Sequence, residues 1–288
     1  MEKTLSTSVK PHLTIKPSSG WAALNLAELF QFRDLLVTLA ARDVKLRYRQ
    51  TALGVIWVLL QPLISAGILS FVFGKVANLA DPSDKTPYFI IVYAGQLGWS
   101  IFSSTLSKTS SSLVGNAHLV TKVYFPRLVL PLSTLFSTLI DFGVGMAMLI
   151  VILLFTGIHP GIGILLLPVW MLLLMLLALG FGLCSSALTV SYRDVQYILP
   201  VAMQFLMYGS PIAYTIATME THVHSAALRS IYFYNPLASL LEAFRWSLLG
   251  VGSIHWAFLG YATVFTMIVF ILGAYSFKRM ERQFADII

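Results

Sequence analysis

The sequence has one cysteine and few charged residues, and it lacks the motifs of soluble enzymes. Charged residues make up 11% of the chain, whereas a soluble domain has about a quarter. The single cysteine, Cys184, excludes an intramolecular disulfide and a cysteine metal cluster. The chain also lacks a Gly-x-x-x-x-Gly-Lys-Ser/Thr phosphate loop, a His-Glu-x-x-His zinc motif and a Gly-x-Ser-x-Gly nucleophile elbow. We therefore predict no catalytic residue, no metal site, no cofactor and no ATP hydrolysis in this chain.

Long apolar runs dominate what remains. Hydrophobic residues make up 57% of the chain and the mean hydropathy is +0.81. A helix needs roughly 20 mostly apolar residues to cross a bilayer. Runs of that kind occupy residues 54–76, 88–107, 128–156, 163–190, 197–217 and 254–277. The pattern predicts an all-α integral membrane protein with a cytoplasmic N-terminus (1–53), a six-span domain (54–277) and a cytoplasmic tail (278–288).

The basic residues predict the orientation of these spans. Most lysines and arginines lie before the first run, between the second and third, or after the sixth, whereas the opposite loops hold only Lys85, Arg229 and Arg245. Cytoplasmic loops carry such an excess. Residues 1–20 lack the apolar core of a signal peptide. We therefore predict a multi-pass protein of the inner membrane with both termini in the cytoplasm, and we interpret the net charge of +7 as a topology signal and not as nucleic-acid binding.

Three segments on the predicted cytoplasmic side have mixed polarity. Residues 21–50 mix leucines with charges, as an amphipathic helix lying in the membrane interface does, and the basic run 42–49 follows at its end. Segment 108–127 predicts a short helix that stops before Pro126, and 191–195 forms a polar turn. Each has two interpretations: a binding surface for headgroups or a partner protein, or a simple topology anchor, loop or turn.

The fifth apolar run differs from the others. Pro200, Gly209 and Pro211 interrupt it, so the helix should be bent or broken, which is tolerated at membrane depth beside other helices or a water-filled cavity. Its aromatic rings either pack ordinarily or stack on sugar faces in a wet passage. The outer segment that follows contains an amphipathic stretch, 235–246, whose Asn-Pro start suits a helix N-terminus and predicts a re-entrant or interfacial helix.

Asp141 is the only carboxylate well inside a predicted span. An acid at that depth usually faces the bundle interior and finds a partner. A proton-coupled carrier would use it as a relay, but the predicted spans offer it no lysine, arginine or histidine.

Several motifs together resemble one family. They are Arg-Asp-Val-Lys-Leu-Arg-Tyr-Arg-Gln-Thr-Ala-Leu-Gly-Val-Ile-Trp (42–57) running to Gln61 and Pro62, Lys-Val-Tyr-Phe-Pro-Arg (122–127) with Pro131, Ser-Tyr-Arg-Asp-Val (191–195), Ser-Pro-Ile (210–212) and Tyr-Asn-Pro-Leu (234–237). This pattern resembles the ABC-2 type polysaccharide-export permeases of O-antigen, teichoic acid and capsule, and the O-antigen type is most similar.

The resemblance implies a homodimer that binds two copies of a separate ATPase subunit, which holds ATP and Mg²⁺, and that moves a polyprenyl-diphosphate-linked glycan outward among membrane lipids. It implies roles for four groups of residues. Arg47 and Arg49 would bind the substrate at its entry, and the channel would be lined by Trp57, Phe205, Tyr208 and Tyr214. The ATPase would dock on Arg42, Asp43, Asn116, His118, Lys122, Tyr192, Arg193 and Asp194. The outer gate, formed by short re-entrant helices, would include Asn235, Pro236, Phe244 and Trp246.

Other functions stay open at this level. An ABC-2 exporter of drugs or lipids has the same architecture, an ion-coupled secondary carrier would use Asp141, and a membrane-bound enzyme is disfavoured because no nucleophile or metal cluster is present. A neighbouring ATPase gene beside glycosyltransferase genes would favour the polysaccharide exporter, and a lone gene would count against it.

Overall fold

The computed structural model describes residues 26–49, 54–80, 86–222, 225–281 and 284. Every regular element in these ranges is helical, which confirms the predicted all-α class. The helices are α1 Leu26–Gln31, α2 Arg33–Arg49, α3 Gly54–Leu69 with a π-helical extension Ser70–Val76, α4 Tyr88–Gly115, α5 Ala117–Lys122, α6 Val129–Thr156, a 3₁₀ turn Ile162–Leu166 leading into α7 Leu167–Ser191, α8 Val195–Tyr208, α9 Ile216–His222, α10 Ala226–Phe233, α11 Pro236–Leu249 and α12 Trp256–Met280.

Five helices within the described ranges are long and apolar enough to cross a membrane. They are Leu59–Val76, Tyr88–Gly115, Val129–Thr156, Ile162–Ser191 and Trp256–Met280. The fifth apolar run forms α8, which has 14 residues and so covers about 21 Å, less than the hydrocarbon thickness of about 30 Å. α8 ends at Tyr208, and an irregular segment, 209–215, follows it. The predicted break is confirmed, and the sixth crossing stays a prediction.

α4 is the central helix, and α3, α6, α7 and α11 pack around it. Its buried residues run from Ile90 to Leu113. Small side chains permit this close packing, as is usual between membrane helices: a Cβ on Gly182 of α7 would lie 2.7 Å from Cβ of Thr109 in α4. α12 packs on the far side of α7. The bundle is therefore built on the α4–α7 pair.

The two ends of the bundle are different. A cluster that includes Leu39, Val120, Val190 and Phe277 joins α2, α5, the end of α7 and the end of α12, and we call this the α2 end. The opposite end holds α9, α10, α11 and the 3₁₀ turn, and we call it the α11 end.

α4 continues beyond the predicted end of the second span, from residue 107 to Gly115. The helix of the second span therefore includes Lys108, which the sequence pattern assigned to a separate cytoplasmic segment, 108–127, with its own short helix. The predicted end of the span was too early because the serines and threonines of 103–112 are polar by composition. Several of them are nevertheless buried against α6 and α7.

Candidate transport path and docking surface

Three of the predicted docking residues meet at the α2 end. The Arg42 guanidinium Nη2 donates to Asp43 Oδ1 at 2.8 Å and to Asn116 Oδ1 at 2.7 Å. The Asn116 side-chain amide donates in turn to the carbonyl of Ser112 at 2.9 Å. The network therefore ties α2 to the junction of α4 and α5, although these residues are far apart in sequence.

The other predicted docking residues surround this network on the surface. His118 and Lys122 are exposed on α5, and Tyr192, Arg193 and Asp194 are exposed in the turn between α7 and α8. Both elements pack on the same apolar cluster at the α2 end, which includes residues of α5 and of the end of α7. The structure thus gathers the predicted docking residues at one end of the bundle, and their role in docking remains a prediction.

Three predicted site residues lie outside the part of the structure whose side chains are described. Arg47 and Arg49 close α2, and Trp57 lies in the first turn of α3. Their assigned roles in substrate entry and channel lining stay predictions from the sequence.

α8 presents a stripe of exposed side chains. Phe205 is 74% exposed and Tyr208 is 56% exposed, and Tyr197, Val201 and Gln204 are exposed as well. Their spacing of three and four residues places them on one face of the helix. The opposite face, with Leu199 and Met203, packs partly against the core. Two of the predicted lining aromatics therefore share one open surface.

Tyr214 lies apart from that stripe. Its hydroxyl bonds to the hydroxyl of Tyr232 at 2.5 Å, and its ring lies 6.3 Å from that of Phe73. It does border a groove with Tyr208, between the π-helical extension of α3 and the segment after α8. Tyr214 is therefore held in place by neighbours from three elements.

The predicted outer helix is present as α11. Asn235 caps it, since its side-chain oxygen accepts from the Leu237 amide at 3.1 Å, and Pro236 occupies the first turn. Phe244 is buried and meets Phe142 of α6 edge to face at 6.1 Å. Trp246 is half-buried and lies against Gly163, where an added Cβ would be 2.9 Å from the ring. α11 is thus a packed part of the bundle, and its role as a re-entrant outer gate helix stays a prediction.

A buried ion pair in α11 was missed from the sequence. The Arg245 side chain is 0% exposed, and its Nη1 donates to Glu242 Oε2 at 2.8 Å. The same guanidinium donates to the backbone carbonyls of Pro211, Ile212 and Tyr214. The positive-inside pattern counted Arg245 among the few cations of the outer segments, and that placement stays a prediction; the structure adds that its charge is paired with Glu242 within the fold. The i, i+3 spacing of Glu and Arg in an apolar stretch was the available signal.

Asp141 has the intramembrane partner that the predicted spans did not offer. Lys108 Nζ lies 2.8 Å from Asp141 Oδ2 and 3.0 Å from Ser137 Oγ. The expectation of an acid without a cationic partner was wrong, because α4 continues through Lys108. The pair joins α4 to α6 in the half of the bundle nearer the α2 end.

Comparison with known proteins gives a consistent result. A family model described as "ABC-2 type transporter" matches residues 34–249. The O-antigen export system permease protein RfbA of Klebsiella pneumoniae is 27% identical over 271 residues, which cover 92% of this chain and 97% of that protein. The protein of the same name from Myxococcus xanthus is 28% identical over 76% of this chain and 81% of its own length. The polysialic acid transport protein KpsM of Escherichia coli is 24% identical over 83% and 91%.

Proposed function

The chain belongs to the ABC-2 type transporter family, and on that premise we propose that it is the transmembrane permease subunit of an ATP-driven polysaccharide exporter of the O-antigen type. One observation carries the proposal: the chain matches permeases named for O-antigen export over nearly its whole length and nearly the whole of theirs. The transported substrate in this proposal is a polyprenyl-diphosphate-linked glycan.

We place the transport path at an interface between two copies of the chain. α3 and its extension expose an apolar row that includes Leu60, Ile64, Ile68 and Phe71, and α8 exposes its aromatic stripe. Tyrosine hydroxyls and the Gln204 amide lose hydrogen bonds in lipid. A homodimer that turns α8 toward a wet passage keeps those groups hydrated and leaves the apolar row to pack on the second copy or on lipid.

The α2 end is the proposed docking surface for two ATPase subunits. Mg²⁺ and ATP bind to those subunits, so the α2 end faces the cytoplasm and both chain termini lie on that side of the inner membrane. The exposed charged residues of α5 and of the α7–α8 turn supply polar contacts there. The network of Arg42, Asp43 and Asn116 holds α2 and α5 in one relative position, so that force applied to either element reaches the other.

Movement of the glycan then needs weak, repeated binding. Arg47 and Arg49 are placed to attract the diphosphate at the cytoplasmic rim, because charge-assisted hydrogen bonds to phosphate are strong. Beyond the rim, Phe205 and Tyr208 offer ring faces on which many sugars stack without a specific hydrogen-bond pattern. A chain that moves processively requires such similar, shallow binding positions.

Deletion and complementation test the proposal. Cells that lack this gene should accumulate lipid-linked glycan inside and lose it from the surface, and a plasmid copy should restore it. The tagged permease should copurify with an ATPase, and an ATPase variant that binds but does not hydrolyse ATP should block export. Normal surface glycan in the deleted strain would contradict the polysaccharide assignment, and copurification without an effect on glycan would point to an exporter of drugs or lipids.

Substitution of Asn116 tests the docking surface. Asn116→Ala removes the acceptor for Arg42 Nη2 and leaves a charged donor without that bond, a loss of about 1.5–3 kcal/mol. We expect the amount of ATPase recovered with the tagged permease to fall about tenfold, at an unchanged level of permease in the membrane. Thr121→Ala is the matched control because Thr121 is exposed on α5 and bonds only within its own helix among the hydrogen bonds of the described residues. Equal recovery with both variants would contradict the role of the network.

Substitution of the α8 stripe tests the transport path. Phe205→Ala with Tyr208→Ala removes two stacking surfaces, each worth about 0.5–1.5 kcal/mol in contact with another ring. We expect surface glycan to fall about tenfold, and long chains to decline more than short ones because they occupy more positions. Phe155→Ala is the control, since Phe155 is an aromatic ring that is 89% exposed on a different spanning helix, α6, and is not part of the α8 stripe. The measurement is the length distribution of surface glycan on a gel, and an unchanged distribution in the double variant would exclude stacking on α8.

A further inference from the structure

The irregular segment 209–214, where the fifth run breaks, has all its carbonyl groups engaged. Arg245 supplies three of the bonds, to the carbonyls of Pro211, Ile212 and Tyr214. The Ala213 carbonyl accepts from the Tyr88 hydroxyl of α4 at 2.5 Å. A helix that breaks inside an apolar bundle frees carbonyls that must find donors, and here most of the donors are side chains of α4 and α11.

The remaining two carbonyls are engaged at the start of the segment. Gly209 accepts from the Asn235 side-chain amide at 3.4 Å, and Ser210 accepts from a backbone amide two residues later at 2.8 Å. The same amide nitrogen of Asn235 lies 3.3 Å from the Ser210 hydroxyl. The N-cap of α11 therefore holds the start of the segment, and Arg245 together with Tyr88 holds the rest.

Arginine is suited to this position. Its planar group offers five donors in a fixed fork, whereas the lysine ammonium offers three donors on one atom. Arg245 is fully buried, and Glu242 lies beside it at 2.8 Å and compensates its charge. α4 also leaves room for the segment: a Cβ on Gly95 would overlap the Ile212 carbonyl oxygen and lie 2.8 Å from Arg245 Nη2.

α8 is attached far more loosely than the segment that follows it. None of its residues, all of which lie within the described ranges, is buried, whereas Ser210 to Ala213 are all buried. The change from loose to tight attachment occurs at Gly209, the residue after the last turn of α8. If the angle of α8 changes, residue 210 is therefore the first firmly packed residue after the helix.

We propose that Arg245 is a positioning residue that fixes segment 210–214 to α11 and to the outer part of α4, so that these parts move as one body while α8 changes its angle at Gly209. The proposal rests on the proposed function, because the moving α8 carries the stripe along which the glycan passes. It assigns the buried ion pair to the mechanics of the α11 end and not to substrate binding.

Reversible crosslinks test the proposal in a Cys184→Ala background, which is free of native thiols. Ser210→Cys with Asn235→Cys replaces two contacting side chains, and oxidation with copper phenanthroline should link the segment to α11. Because the linked parts already move together, the export rate of this variant should be the same after oxidation as it is under reducing conditions. Leu69→Cys with Met207→Cys, bridged across their shared groove by a short bis-methanethiosulfonate reagent, should instead stop export because it fastens α8 to α3.

The decisive arm adds Arg245→Lys to the Ser210→Cys, Asn235→Cys pair. The export rate per permease in the membrane should fall about tenfold, in line with the loss of one charged hydrogen bond, and oxidation should restore it while dithiothreitol abolishes the recovery. Arg229→Lys is the matched control, because Arg229 also donates to a backbone carbonyl, that of Glu220 at 2.9 Å. It should leave both disulfide yield and export unchanged.

Gly95→Ala gives a second route if Arg245→Lys does not reach the membrane. It crowds the Ile212 carbonyl and the Arg245 guanidinium from the α4 side while the Arg245 side chain itself stays unchanged, and it should show the same loss and the same recovery on oxidation. We expect a lower disulfide yield in Arg245→Lys than in Arg229→Lys, because segment 210–214 is then less firmly held beside Asn235→Cys. Equal yield and equal export in the two variants would overturn the proposal, as would a formed disulfide that leaves export low. The disulfide yield is measured by mass spectrometry on membranes, so it tests the attachment of segment 210–214 to α11 without any transport assay. A wild-type chain that exports no glycan would refute the proposed function alone.

Discussion

Alanine at Gly273 is expected to lower the melting temperature of the detergent-purified permease by roughly 8 °C, the shift that a loss of about 3 kcal/mol produces. A Cβ on Gly273 in α12 would overlap the carbonyl oxygen of Gly180 in α7 and lie 2.7 Å from its carbonyl carbon. The atoms that it meets belong to a helix backbone and cannot rotate away, so the two helices have to separate. Gly180→Ala should act similarly, because its Cβ would lie 2.7 Å from the backbone of Val269.

Gly260→Ala is the control for that result. Gly260 lies in the same helix, α12, and outside the backbone of that helix no atom of the described residues lies within 4 Å of an added Cβ. Alanine is the better helix former by about 1 kcal/mol, so the melting temperature should stay the same or rise slightly. Equal melting temperatures for the Gly260 and Gly273 variants, measured by differential scanning fluorimetry, would show that α7 and α12 do not cross in backbone contact.

The second large effect is expected from Lys108→Met, which leaves the Asp141 carboxylate without its cationic partner in an apolar bundle. Removal of one member of a fully buried pair costs 3–5 kcal/mol. The side chains are 23% and 14% exposed, so solvent reduces the cost and we expect about 2 kcal/mol. The loss should appear as a lower melting temperature and less permease in the membrane.

The double variant Lys108→Met with Asp141→Leu separates stability from transport. Replacement of both partners of such a pair by apolar residues is often neutral or stabilising, so the melting temperature should return close to that of the wild type. Export should return with it, since the proposed mechanism draws on ATP in a partner subunit. A stable double variant that exports no glycan would show that Asp141 takes part in transport, as the relay of an ion-coupled carrier would.

The helices and the break were predictable from the sequence because both depend on neighbouring residues. Apolar runs set the long helices, Gly209 and Pro211 interrupt the fifth run close to the observed end of α8, and Asn-Pro marks the start of α11. The end of α4, which follows a run of serines and threonines, was harder to predict from the sequence. Polar composition indicated that the second span ends at residue 107, but α4 packs against α6 and α7 and continues to Gly115.

The paired charges could not be predicted in the same way, since each pair depends on which helices become neighbours. Lys108 and Asp141 lie on different helices, and Arg42 of α2 contacts Asn116 at the junction of α4 and α5. Glu242 and Arg245 are close in sequence, but Arg245 also donates hydrogen bonds to three carbonyls of another segment, and these bonds could not be predicted from the sequence. Burial of α11 by α4, α7 and α12 is a tertiary property that its own amphipathic pattern does not reveal.

The loose attachment of α8 also affects how such a permease can evolve. Substitutions at buried positions of α4 or α11 disturb the packing of several helices, and cores respond even to a single added or removed methylene. Among the described residues none of α8 is buried, so its outward side chains can change at little cost to folding. If α8 lines the transport path as proposed, a duplicated gene can acquire a different cargo through a few substitutions in one short helix, while the rest of the bundle and the proposed docking surface stay as they are.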